Sequence, residues 1–267
     1  MRKLFFGRNV EIDRARAKLA IARERSAAFL LVIGSSGSGK SSLVRAGLAP
    51  RLAISGGLPG LDRIAVLITT LHDFGADVPR GLCASLVNLP ELRVGFAGGD
   101  FSSAEALAHL WEQAPEEIAR VTLNTLDRWR AALQQAENRK DPPETGLILV
   151  LDQLEEIFQL SSEMRDSIAR VLAACAHSRR IAVVATLRSD YYTRLLEVPL
   201  LKQLKSEGET IDVEPPSPAS FSDIIRKPAE AAKLRFRCRS RSSRLCSVAD
   251  QGASGRNIFW ATAANCP

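Results

Sequence analysis

The run Gly34-Ser35-Ser36-Gly37-Ser38-Gly39-Lys40-Ser41 fits the pattern G-x-x-x-x-G-K-[ST], and its setting constrains the fold more than any other stretch of the chain. It follows the unbroken apolar run Phe29-Leu30-Leu31-Val32-Ile33, which suits a strand buried on both faces of a parallel sheet. It leads into Ser41 to Leu52, which reads as a helix. Strand, glycine-rich turn and helix in that order make a cradle for a polyphosphate. The glycines let the backbone wrap with its N–H groups turned inward, and the positive end of the helix dipole faces the same point. Lys40 supplies a point charge for β- and γ-phosphates, and the Ser41 hydroxyl suits a Mg²⁺ ion. Gly34, Ser35, Ser36, Gly37, Ser38, Gly39, Lys40, Ser41 and Ser42 are therefore the candidate binding residues for ATP or GTP with Mg²⁺.

Further apolar runs occur at Ile64–Ile68, Leu147–Leu151 and Ile181–Ala185, with a shorter candidate at Thr210–Val213. Helical patterning covers Val10–Ala27 and Pro115–Glu137, and it extends from beyond Asp152 to His177. Strands alternating with helices predict right-handed crossovers and an α/β fold with a parallel sheet flanked by helices. In such sheets ligands lie beyond the carboxyl ends of the strands. The segments Gly34–Ser41, Asp152–Glu156 and Thr186–Asp190 should therefore converge.

Asp152 closes the run Leu147-Ile148-Leu149-Val150-Leu151, where a carboxylate can hold Mg²⁺, usually through water. Glu155 and Glu156 follow three and four residues on, on the same side of a starting helix. One of them could orient or deprotonate a water that attacks a γ-phosphate; equally, both favour a helix amino end. Arg188, beyond the fourth strand, can reach a γ-phosphate, with an ion pair to Asp190 as the alternative. About 110 residues separate the glycine-rich loop from Asp152, which argues for a strand inserted between the two motif strands, as in the additional-strand class of P-loop ATPases.

Of the formal charge of +6, residues 237–267 carry five Arg against one Asp, or +4, leaving +2 for residues 1–236. A nearly neutral body gives little support to nucleic-acid binding. Five cysteines without a CxxC pair indicate neither a disulfide framework nor a zinc site. The apolar runs are far shorter than a bilayer span, and Leu4-Phe5-Phe6 is too short for a signal peptide, so the chain reads as cytoplasmic, with no membrane partner. The segment Ser217-Pro218-Ala219-Ser220 resembles the opening of a further helix.

Taken together, these segments resemble the STAND-class P-loop NTPases, in particular the group called novel STAND NTPase 1. The carrying stretches are Phe5 to Ile12, Gly34 to Leu48, Leu149 to Phe158, Thr186 to Tyr192 and Ile225 to Leu234, which cover about residues 5–236 in order. The resemblance implies a five-stranded sheet of order 5-1-4-3-2 over residues 1–214, and the start of a helical lid over 215–236. It places Gly7 and Arg8 beside an adenine, makes Asp152 the Mg²⁺ carboxylate and Arg188 the sensor of the γ-phosphate. Because Gln153 rather than an acid follows Asp152, the base moves onto Glu155 or Glu156, with slow hydrolysis. The chain begins at the first nucleotide-binding segment and turns Arg/Ser/Cys-rich after Phe236. Residues 237–267 are accordingly expected to be an aberrant or disordered basic tail, and the chain a truncated or frame-shifted member.

The function implied is a signalling ATPase switch that exchanges ATP and ADP and acts with further copies or with effector and sensor domains absent from this chain. A DNA-associated ATPase of the AAA type, a small-molecule kinase and a non-functional remnant are the alternatives.

Overall fold

In the computed structural model the described residues are 8–75, 77–138, 140–215, 226, 235–238, 245–249 and 259–262. They fall into two units, one of Val10–Pro215 and one of Met1–Asn9 with Pro216–Pro267.

In the first unit five apolar stretches form a parallel sheet: β1 (Phe29–Gly34), β2 (Arg63–Thr69), β3 (Thr145–Leu151), β4 (Ile181–Arg188) and β5 (Glu209–Asp212). The spatial order is β2-β3-β4-β1-β5, the expected order read from the other edge. The strand interposed between β1 and β3 is β4, while β2 lies outside β3. β5 starts at Glu209, one residue before the apolar signal, because it follows β1 in register from Leu30↔Glu209 to Ile33↔Asp212.

The helices of this unit are α1 (Asn9–Arg25), α2 (Lys40–Ser42), α3 (Ala49–Leu52), α4 (Val78–Val87), α5 (Arg93–Ala97), α6 (Ala104–Gln113), α7 (Glu117–Ala136), α8 (Ser162–His177), α9 (Tyr192–Leu196) and α10 (Pro199–Glu207). Between α2 and α3 the helix continues as a π-helical stretch, Leu43–Leu48, with the Ala49 N–H donating to the Val44 carbonyl. Pro50 lies at the start of α3 and lacks the N–H that would reach the carbonyl of Ala46, which favours the wider turn upstream.

The sheet is buried on both faces, as continuous apolar runs require. Phe29, Leu31 and Ile33 join Leu147, Leu149, Leu151, Val183 and Leu187 in one core with Trp111, Leu126, Leu172 and Leu204 from the helices. Leu30, Val32, Ile148, Val150 and Val184 point the other way and are equally inaccessible, as are Ile12, Ala15, Leu19 and Ala22 along α1. Deleting such side chains to alanine typically costs about 2–5 kcal/mol, so this core is what holds the strand ends in place. No helix among the described residues is long and apolar enough to cross a membrane.

One expectation needs correction. Asp152 does not lead directly into an α-helix. Gln153 takes a left-handed conformation, φ 61°, and a 3₁₀ stretch, Leu154–Gln159, precedes α8. The turn sends Glu155 and Glu156 to different neighbours, as described below, rather than along one helical face.

In the second unit, β6 (Arg235–Cys238), β7 (Leu245–Ala249) and β8 (Phe259–Thr262) form an antiparallel sheet, registered Arg235↔Ala249 and Leu245↔Thr262. These strands lie in or border the stretch that reads from sequence as a disordered tail. Of the lid expected at 215–236, the described residues are Pro215, Arg226, which is helical, and the first two of β6; the helix opening at Ser217 to Ser220 lies outside them.

Candidate functional site

The loop between β1 and α2 adopts the conformation its glycines allow. Gly37 (φ 75°) and Gly39 (φ 87°) occupy the left-handed region, where other residues are strained. At Gly34 the constraint is space: a β-carbon there would lie 2.4 Å from the Val213 carbonyl oxygen and 2.7 Å from Ser38 Oγ. Ser35, Ser36 and Gly37 form the exposed crest, Ser38 is buried beneath it, and Ser42 is exposed one turn into the helix.

Lys40 Nζ donates to the carbonyl oxygens of Gly34 and Ser35, both at 2.8 Å, and only 8% of the residue is exposed. Burial pulls its pKa below the ordinary lysine value. The Glu155 carboxylate opposes that shift and the Arg188 guanidinium adds to it, so both groups act on Lys40 through space.

Asp152 is the hub. It is 1% exposed, and its backbone N–H donates to the Thr69 carbonyl at 2.9 Å. Oδ1 accepts the Ser41 hydroxyl at 2.9 Å and the Thr186 hydroxyl at 2.6 Å. Oδ2 accepts Arg45 Nε at 2.7 Å. The pairing Leu151↔Ala185 sets Asp152 beside Thr186, and the Thr186 oxygen in turn accepts the Gln153 N–H at 2.8 Å, holding the left-handed turn. The Ser41 hydroxyl and the Asp152 carboxylate are hard oxygen donors of the kind Mg²⁺ takes, and a site of one hydroxyl and one carboxylate leaves the remaining positions to water and phosphate. Among the described residues no group of three or more His, Cys, Asp or Glu could hold a metal ion by itself.

Glu155 Oε2 accepts the backbone N–H of Arg188 at 3.2 Å, at the end of β4. Glu156 Oε2 accepts the N–H of His72 at 2.7 Å, in the turn after β2. The two acids therefore face opposite neighbours of β3. The Arg188 side chain is paired with Asp190, through Nε at 3.1 Å and Nη2 at 2.6 Å, and also lies over the Tyr191 ring. Tyr191 stacks on Phe158, and Arg194 lies over both rings. Arg8 is buried just before α1, while Gly7 lies outside the described residues.

The segments beyond β1, β3 and β4 thus converge, and their donors surround a single carboxylate. The family model of Novel STAND NTPase 1 matches residues 1–254. This chain belongs to the Novel STAND NTPase 1 family. The match runs past Phe236, where the resemblance read from the sequence stops, and includes β6 and β7. No curated protein gives a significant match. Among solved structures, the S. cerevisiae Hsp104:casein complex is 17% identical with a TM-score of 0.46, covering 86% of this chain and 31% of that one. Rhizobiales Trip13 is 15% identical with a TM-score of 0.41, covering 86% and 70%. Cdc6p from Pyrobaculum aerophilum is 16% identical with a TM-score of 0.41, covering 84% and 49%. The chain therefore spans about a third of the Hsp104 chain it matches.

In this Novel STAND NTPase 1 chain, motif reading passed over two contacts at the candidate site: Arg45 and the Thr186 hydroxyl on Asp152. A signal for Arg45 was available. It follows Ser41 by four residues, so both fall on the same side of a helix whose Ser41 faces the site.

Proposed function

We propose that the Val10–Pro215 unit binds ATP with Mg²⁺ and hydrolyses it slowly, as the switch domain of a signalling protein. The observation that carries this proposal is the 2.9 Å contact between the Ser41 hydroxyl and Asp152, formed one residue from Lys40. It joins the phosphate loop to the acidic strand end across 111 residues of sequence.

The geometry supports the following division of labour. Lys40 leaves the Gly34 and Ser35 carbonyls to meet the phosphates, and the loop amides and the start of α2 complete the cradle. Ser41 and Asp152 would hold the Mg²⁺, which would supply charge neutralisation on the phosphates. Glu155 is assigned to water activation in preference to Glu156, because it is turned to the β4 side beside Arg188 while Glu156 is turned to the β2 side. Arg188 moves from Asp190 to the γ-phosphate; both partners of that pair are about half exposed, so the exchange costs little. Slow turnover is carried over from the family likeness, with Gln153 rather than an acid following Asp152. Gly7 and Arg8 are carried as adenine-side residues by family likeness. ATP binding favours assembly with further copies or with effector and sensor domains, and hydrolysis resets it.

Isothermal titration calorimetry of ATP, ADP and GTP into the chain, with and without Mg²⁺, tests the proposal. Mg²⁺-dependent binding of ATP is expected in the parent protein and no heat in Lys40→Ala. Well-folded protein that binds no nucleoside triphosphate would overturn it.

A further inference from the structure

Arg45 does not belong to the phosphate loop, yet its guanidinium makes the one charged contact recorded for Asp152 among the described residues. Its side chain is 44% exposed and that of Asp152 1%, so the pair joins a half-exposed cation to a buried, dehydrated anion. Oδ1 already accepts two hydroxyls, which fills its lone pairs, whereas Oδ2 accepts Arg45 alone. Any water or metal that approaches the carboxylate must therefore use the oxygen next to the guanidinium, against the repulsion of a like charge.

We propose that Arg45 is a built-in competitor of Mg²⁺: it neutralises Asp152 when the site holds no nucleotide and is displaced when the metal arrives. The inference rests on the Mg²⁺–ATP assignment above and adds a residue that sets the metal requirement.

Asp73 lies within electrostatic range of the guanidinium. This residue, in the turn after β2, is exposed, and its Oδ2 accepts the Thr70 N–H at 3.0 Å. Its carboxyl is held below the ordinary range first by the Thr70 N–H and hydroxyl, and the Arg45 charge contributes in the same direction. Arg45 thus stands within electrostatic reach of two carboxylates, one of which Mg²⁺ claims. Its position in the π-helical stretch suits a move, because the i→i+5 pattern there can revert to α-helix and rotate the side chain. Transfer to Asp73 would report metal occupancy to the same turn that Glu156 holds through the His72 N–H.

The test is a Mg²⁺ titration followed by calorimetry, on the full chain with a non-hydrolysable ATP analogue at fixed concentration. Arg45→Ala is expected to lower the half-saturating Mg²⁺ concentration by about tenfold, the worth of one hydrogen bond to a charged group. Arg45→Lys, which keeps the charge and loses the Nε fork, should fall between. Without nucleotide, Arg45→Ala should melt earlier than the parent, and Mg²⁺ with the analogue should close that gap. An unchanged or raised Mg²⁺ requirement in Arg45→Ala overturns the proposal, since Arg45 would then support the metal rather than compete with it. If Arg45→Ala does not fold, Arg45→Lys decides by the same reading. Absence of Mg²⁺-dependent binding in the parent protein overturns both the nucleotide assignment and this inference, whereas an unchanged requirement beside a binding parent overturns this inference alone.

Discussion

The Thr186 hydroxyl donates to Asp152 Oδ1 at 2.6 Å and accepts the Gln153 N–H at 2.8 Å, so one side chain on β4 holds both the carboxylate and the turn that follows it. Thr186→Val keeps the shape and removes both contacts, leaving the Gln153 N–H without this acceptor and the buried Asp152 Oδ1 with the Ser41 hydroxyl alone. A loss of about 1–3 kcal/mol is expected on urea denaturation, with a smaller loss in Thr186→Ser, which keeps the hydroxyl.

Among the described residues Gln153 is one of three non-glycine residues at positive φ, and the one next to the site. Its left-handed backbone costs on the order of 1 kcal/mol. Gln153→Gly should remove that cost and give back part of it through a freer unfolded chain, for a net gain of about 0.5 kcal/mol. Gln153→Val, β-branched, should lose more than about 1 kcal/mol. Equal urea midpoints for the two variants would show the turn to be unstrained.

Glu155 and Glu156 separate in a paired substitution. Glu155→Gln should slow ATP turnover by about a hundredfold while leaving ATP bound, as removal of a general base does. Glu156→Gln should change it less than about threefold, because that carboxylate serves the His72 N–H. The reverse ranking in a phosphate-release assay would exchange the two roles.

Arg188 and Asp190 are bound to each other at the edge of the site. Arg188→Gln should reduce the preference for ATP over ADP by roughly tenfold, measured by competition binding, since it removes a charge-assisted contact to the terminal phosphate. Asp190→Asn should leave the melting temperature unchanged and preserve or sharpen that preference, by releasing the guanidinium.

Burial pushes the thiols of Cys83 and Cys175 up to about 12. At pH 8 they hold about one thiolate in ten thousand, so peptide mapping after iodoacetamide should find both unmodified in the native protein and modified in urea. The folded state keeps these protons above pH 9.0, the ordinary value, where the unfolded chain releases them. Their contribution to stability is therefore fully present below pH 9 and lost as pH rises toward 12. The fall should be shallower in the Cys83→Ala/Cys175→Ala protein.

Several features could be read directly from the chain because they are local. Gly37 and Gly39 sit where the backbone needs positive φ, Lys40 and Ser41 follow at the spacing a phosphate loop requires, and Asp152 closes an apolar run. Each depends on neighbours within a few residues, and the alternation of such runs with helical periodicity was enough to define a parallel sheet. Where Glu155 and Glu156 point was not legible, because the left-handed turn at Gln153 is held by Thr186, 33 residues away.

What the amino-acid order settled by itself is the set of short-range instruments: the glycine-rich loop, the strands, and the charges at their ends. Tertiary structure alone decided who faces whom. Arg45 and Asp152 are 107 residues apart and meet because β4 lies between β1 and β3, at a register that sets Leu151 against Ala185 and Gly34 against Arg188. That pairing is chosen by burial of both sheet faces together, a free energy distributed over the whole core and written in no single segment.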